Sequence, residues 1–246
     1  VLWALGYPAQ AVQRSQEALT LARTLAHPFS LAMALAQMAF MQQLRRAYRE
    51  TGALAEELIT LASEQGFPLW LAAGTSQQGW ARVWQEQDEA GGIAQMCQGI
   101  AAWRATGAAM HLPHALAKLA EAYAKVGRLE DGLTGLAEAL RLVDTHEEQY
   151  YTAELHRLKG TILLRRSVDH ALEAEACFHQ ALAIARQQQA RLLELRATVS
   201  LGRLWQQQGK REKARELLTE VYGWFTEGFD TLDLLEAKAL LEALAG

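Results

Sequence analysis

Proline is almost missing: there are 4 in 246 residues. Long helices can therefore run without the ring that removes an N–H and clashes with the preceding turn. Val, Ile and Thr are sparse, and no alternating apolar pattern of useful length occurs, which argues against a sheet. Cys97 and Cys177 are the only cysteines. Two thiols so far apart in sequence form neither a disulfide framework nor a C-x-x-C motif, so both read as small apolar packing groups in a reducing cytoplasm. No uninterrupted apolar run reaches about 18 residues; Leu31–Met41 is too short and carries Gln37. No signal peptide opens the chain, and with no membrane anchor the expected location is cytoplasmic. Charge of one sign is lacking too. With 24 basic and 28 acidic residues the net charge is −4, which gives no electrostatic case for direct nucleic-acid binding.

What is present is a repeat. Leu201-Gly202-x-x-Trp205-x-x-x-Gly209-x-x-x-x-Ala214-x-x-x-Leu218 has a counterpart about 82 residues upstream, Leu119-Ala120-x-x-Tyr123-x-x-x-Gly127-x-x-x-x-Gly132-x-x-x-Leu136. A third copy, looser in its turn, runs from Lys159-Gly160 to Phe178-x-x-Ala181-Leu182. Small residues stand where helices cross closely, and glycine marks the turn. Recurrence of this kind predicts a stack of helix pairs sharing one elongated core.

Turn markers near Gly6, Ala47, Gln87, Gly127, Ser167 and Gly209 give a period of about 40 residues, longer than the usual unit of about 34. The expected fold is an all-α solenoid of about six helix pairs over residues 1–229, the first truncated, followed by a capping helix over 230–246. Asp230 is the expected N-cap of that last helix, and its apolar stripe runs through Leu234, Leu235, Ala237, Leu240, Leu241 and Leu244. Val1–Gly6 reads as the tail of a helix begun earlier, so the chain is expected to be a piece of a longer protein.

The Leu-Gly-x-x-Trp and Ala-x-x-x-Leu spacing resembles tetratricopeptide repeats. The long period, with Ala153–Gly160, Ala174–Leu182 and Tyr222–Asp230, is similar to the helical-repeat region of bacterial multidomain signalling ATPases. These include regulators like the maltose-regulon activator and proteins with a cyclase domain ahead of the ATPase. The resemblance implies a sensor that binds a ligand or partner and holds a linked ATPase, cyclase or transcription-factor domain in check.

Catalytic chemistry finds no support. There is no G-x-x-x-x-G-K-[ST] phosphate loop and no H-E-x-x-H. Cys177 and His179 are two apart, so on a helix they face different ways. No cofactor and no metal is expected. His111 and His114 share a helix spacing, but a metal needs further ligands.

The groove is the better candidate. Counting from the small residue of each first helix places His114, Glu121 and Lys125 on the concave wall of the fourth unit, Glu154, Arg157 and Arg165 on the fifth, and Arg196 and Arg203 on the sixth. Four guanidinium groups on one wall would suit the carboxylates or phosphates of an acidic peptide, because their forked donors bind in pairs. The opposing reading is a solvated face neutralised by its own acids. The alternative function is a small-molecule effector domain with Trp70 and Trp80 lining an aromatic pocket.

Overall fold

The computed structural model describes residues 1–85, 88–146 and 149–245. Among them are twelve α-helices and no strand. In chain order they are α1 (Pro8–Leu25), α2 (Pro28–Leu44), α3 (Tyr48–Gln65), α4 (Pro68–Trp84), α5 (Glu89–Ala105), α6 (Leu112–Lys125), α7 (Leu129–His146), α8 (Thr152–Arg166), α9 (Ala171–Gln187), α10 (Arg191–Gln207), α11 (Arg211–Tyr222) and α12 (Leu232–Ala245). The expected turn marker Gln87 and the polar pair Glu147-Glu148 lie outside the described residues. No helix of the described residues is long and apolar enough to cross a membrane.

The repeat register holds. α2/α3, α4/α5, α6/α7, α8/α9 and α10/α11 are consecutive packed pairs, and α12 packs on α10 and α11. All four prolines fall in the first two residues of a helix, where the missing N–H costs nothing. Gly127 and Gly209 end α6 and α10 with φ of +81° and +77°, the left-handed conformation that closes a helix without a Cβ penalty. The residues chosen as helix crossings, Ala120, Gly160, Ala181, Gly202 and Ala214, are all buried. The closest crossing is α4 on α5: a Cβ on Gly79 would stand 2.6 Å from the Gly92 carbonyl, and one on Gly99 would stand 2.6 Å from the Ser76 amide nitrogen.

The chain forms two compact units, Val12–His146 and a discontinuous one made of Val1–Ala11 with Glu147–Gly246. In the first, Leu35, Leu58, Trp80 and Met96 are fully enclosed. In the second, Tyr151, Leu155, Phe178 and Leu192 are fully enclosed, and α12 belongs to the same body as α8–α11.

Residues 1–6 form the closing turn of a helix, as expected: the Leu5 amide donates to the Val1 carbonyl at 3.1 Å, the Tyr7 amide to the Leu2 carbonyl at 3.0 Å, and Gly6 at φ +96° supplies the left-handed cap. They lie against the C-terminal helices. The Leu192 amide donates to the Ala4 carbonyl at 3.1 Å, and Trp3 is 3% exposed. Tyr7 meets Trp224 edge to face at 5.6 Å. Trp224 packs on Gly6 and Tyr7, with the Arg191 guanidinium 5.3 Å from its ring.

Candidate functional site

α8 and α10 carry the arginines of the expected groove, and their surroundings divide them. Arg157 donates twice to Glu154, three residues before it, with both contacts at 2.8 Å. Glu154 is fully buried and also accepts from Arg196 at 3.2 Å. Arg196 forks onto Asp233 of α12 through two bonds of 2.9 Å, and its guanidinium lies 4.7 Å over the Trp3 ring. Its burial opposes the charged form. Asp233 and Glu154 outweigh that opposition and hold its pKa well above the ordinary arginine value.

Arg196 therefore does not lie on an open wall, as the sequence had led us to expect. The helix count was sound, but α12 and the Trp3 segment cover its side chain, leaving 8% exposed. Arg165 and Arg203 are exposed; Arg203 reaches Glu236 only at 3.4 Å, and Arg165 has no ion-pair partner among the described residues. The four arginines thus do not form one open basic surface.

The α6 positions are engaged as well. His114 is buried, with Nε2 3.4 Å from Gln43 Oε1 and its ring 4.4 Å from that of Phe40. Glu121 accepts from Lys118 at 2.7 Å. Lys125 bonds to Glu89 and lies 5.6 Å over the Trp84 ring.

The two candidate ligand aromatics also separate. Trp80 is 1% exposed and belongs to the core, its ring 5.1 Å from that of Tyr48 and tilted against it by 49°. Trp70 is half-buried against Phe29 and lines a cavity of about 60 Å³ within Val12–His146. Phe40, Gln77, Trp103, His111 and His114 line it with Trp70, and Met110 stands exposed beside it. His111 occupies the left-handed region at φ +63°, immediately before the α6 start fixed by Pro113. For a residue with a Cβ that conformation stores strain, and such strain recurs around ligand sites.

Sequence reasoning missed Phe40 and Gln77. The signal for Gln77 was present: an amide on the small, apolar face of Leu71-Ala72-Ala73-Gly74, where the core has little room for a polar group. Among the described residues, no three His, Cys, Asp or Glu side chains gather as metal ligands. Cys177 is buried, and that burial raises its thiol pKa, which disfavours a nucleophilic thiolate.

Solved structures place this arrangement. The chain matches BtubC (BKLC) from P. vanneervenii at a TM-score of 0.61 and 16% identity, covering 97% of this chain and 92% of that one. It matches the TPR-like repeats of a putative kinesin light chain from Podosopora anserina at 0.55 and 18%, covering 80% and 95%. The fold is a tetratricopeptide-like helical repeat. These repeats also match a Signal Transduction ATPase with Numerous Domains, described with a tetratricopeptide repeat sensor, from Pyrococcus horikoshii, at 0.61 and 12%. That match covers 95% of this chain and 36% of the other. No family model matches the sequence, and no curated protein does.

Proposed function

We propose that these repeats are a noncatalytic recognition module of a larger cytoplasmic signalling protein, binding a short protein segment and biasing a linked ATPase, cyclase or transcription-factor domain. The observation that supports this reading is the way α10 holds Val1–Tyr7. A capped helix turn is gripped by one backbone hydrogen bond, one buried indole and one arginine over that indole. Those are the elements of peptide recognition: main-chain bonding for affinity and an aromatic anchor for specificity. A segment from a partner that uses the same elements would compete with Val1–Tyr7. Binding shifts the linked domain only by its difference in affinity for the two states.

The acidic character of the segment is supported by Arg165 and Arg203, which remain exposed on α8 and α10. Titration of the chain with acidic peptides at low salt should give saturable binding that weakens as salt rises. Replacing Arg165 and Arg203 together by Ala should weaken that binding several-fold and leave the thermal melt unchanged. Peptide binding that is equal in the double variant would remove the acidic preference. No saturable binding to acidic, basic or apolar peptides would overturn the recognition reading itself.

A further inference from the structure

α1 is the second helix of a pair whose first helix is represented only by its closing turn, Val1–Gly6. The repeat register shows what such a second helix normally touches. Five residues after the turn glycine stand Gly132 in α7, Ala214 in α11 and Ala11 in α1. Nine and twelve after it stand Leu136 and Ala139 in α7, Leu218 and Val221 in α11, and Ser15 and Ala18 in α1. The residues of α7 and α11 at the last two positions are all buried, each helix packing on the first helix of its pair. In α1 only Ala11 is buried. Ser15 is half-buried, Ala18 is exposed, and further along the same stripe Leu21 and Leu25 are 59% and 61% exposed.

This open stripe is one wall of a groove. Ala18, Leu21 and Leu25 of α1 line it together with Met33 and Met38 of α2, around a volume of about 410 Å³ within Val12–His146. Met33 is 47% exposed. Arg14 lies at the rim and is paired with Glu17 at 2.8 Å, so no charge there calls for a counter-ion. Contiguous exposed apolar side chains of this kind mark a place where another surface docks. Ala18 and Ala22 stand one turn apart on the wall, and small residues at that spacing let a second helix axis approach to the usual 8–10 Å or so.

We propose that this groove is the seat of a helix of the same polypeptide that runs into Val1, lying antiparallel to α1 and completing the first pair. The register fixes two of its residues. In the three copies of the repeat a small residue stands seven before the turn residue (Ala120, Gly160, Gly202) and an apolar one twelve before it (Ala115, Leu155, Ala197), and all six are buried. Counted back from Gly6, the small residue falls at the second position ahead of Val1 and the apolar one at the seventh. This seat is separate from the contacts of Val1–Tyr7 with α10 and does not depend on the peptide-recognition reading.

The coding sequence ahead of Val1 gives the first test. It should continue in frame for the length of a helix, with Gly, Ala or Ser at the second position, an apolar residue at the seventh and no proline between them. The second test compares the chain of 246 residues with the same chain extended by those upstream residues. Peroxide should oxidise Met33 several-fold more slowly in the extended chain, while Met110, exposed outside the groove, reacts equally in both. Leu21→Ala should leave the melt of the shorter chain unchanged and lower that of the extended one by several degrees. Should the extended chain fail to fold, the upstream residues are added as a synthetic peptide with the same Met33 readout. A coding sequence without that pattern, Met33 oxidised equally fast with and without the upstream residues, or a Leu21→Ala effect equal in both chains would overturn the proposal. So would a dimer of the shorter chain that already protects Met33, which would give the groove to a second copy.

Discussion

At the scale of single residues, the buried charge cluster decides more than any surface pair. Exposed ion pairs such as Arg14–Glu17 are worth little. Arg196, Glu154 and Asp233 are different, because a guanidinium taken out of water is tolerated only while its acceptors stay in place. Asp233→Ala should therefore cost about 3–5 kcal/mol in a denaturant titration, while Arg14→Ala should change almost nothing. Glu175 gives a pH signature. The Trp205 indole N–H donates to it at 2.7 Å and, with lesser help from Gln208 and Lys210, holds its carboxyl below the ordinary value of 4.5. Its folded pKa lies below its unfolded one, so the stabilisation is present above the unfolded value and is lost as pH falls through the folded one. Melts of Glu175→Gln across the acid range should show a flatter decline than those of the parent. Trp205 was legible as a core residue from its place in the repeat; its bond to Glu175 was not, since the two are 30 positions apart. The same holds for Arg196. Its helix position followed from spacing, whereas its burial depends on Asp233 and Trp3, which no local pattern connects to it.

At the scale of elements, glycines separate crossings from ordinary helix surface. A methyl at Gly99 would meet the backbone of α4 at 2.6 and 2.8 Å, and neither atom can turn aside. Gly99→Ala should destabilise by about 1–3 kcal/mol through overpacking. At Gly135 of α7 the nearest atom to a new Cβ is 3.9 Å away, so Gly135→Ala should be neutral or gain up to about 1 kcal/mol from the better helix former. Thermal melts of the two variants side by side check both signs. Gly202→Leu, at the α10–α12 crossing, should also lose about 1–3 kcal/mol, since a Cβ there already stands 3.3 Å from Leu240. These crossings were readable because the repeat writes them in small residues. The α2–α3 turn was harder to read for a physical reason. Arg46, with φ +61°, stands where other units place glycine, and Gln189, at φ +54°, does the same after α9. A turn built without glycine keeps its geometry and loses its mark in the sequence.

At the scale of the whole molecule, the helical-repeat fold was legible from periodicity alone, but the allocation of chain to unit was not. Trp3 reads in sequence as part of the first helix pair, yet Val1–Ala11 completes the C-terminal unit. Trp3→Ala should cost about 3–5 kcal/mol, as loss of a buried indole does, and hydrogen exchange should locate the loosening in α10 and α12 while amides of Val12–His146 keep their protection. Exchange changes confined to the first seven residues would refute that coupling. The discontinuity also sets an order in time. Leu192 and Asp233, which hold and enclose the surroundings of Trp3, are synthesised about 190 and 230 residues after it. At about 5–20 residues per second that indole waits on the order of ten seconds or more, with Val12–His146 already synthesised in between. During that interval the Trp3 indole is open to whatever else binds nascent polypeptides.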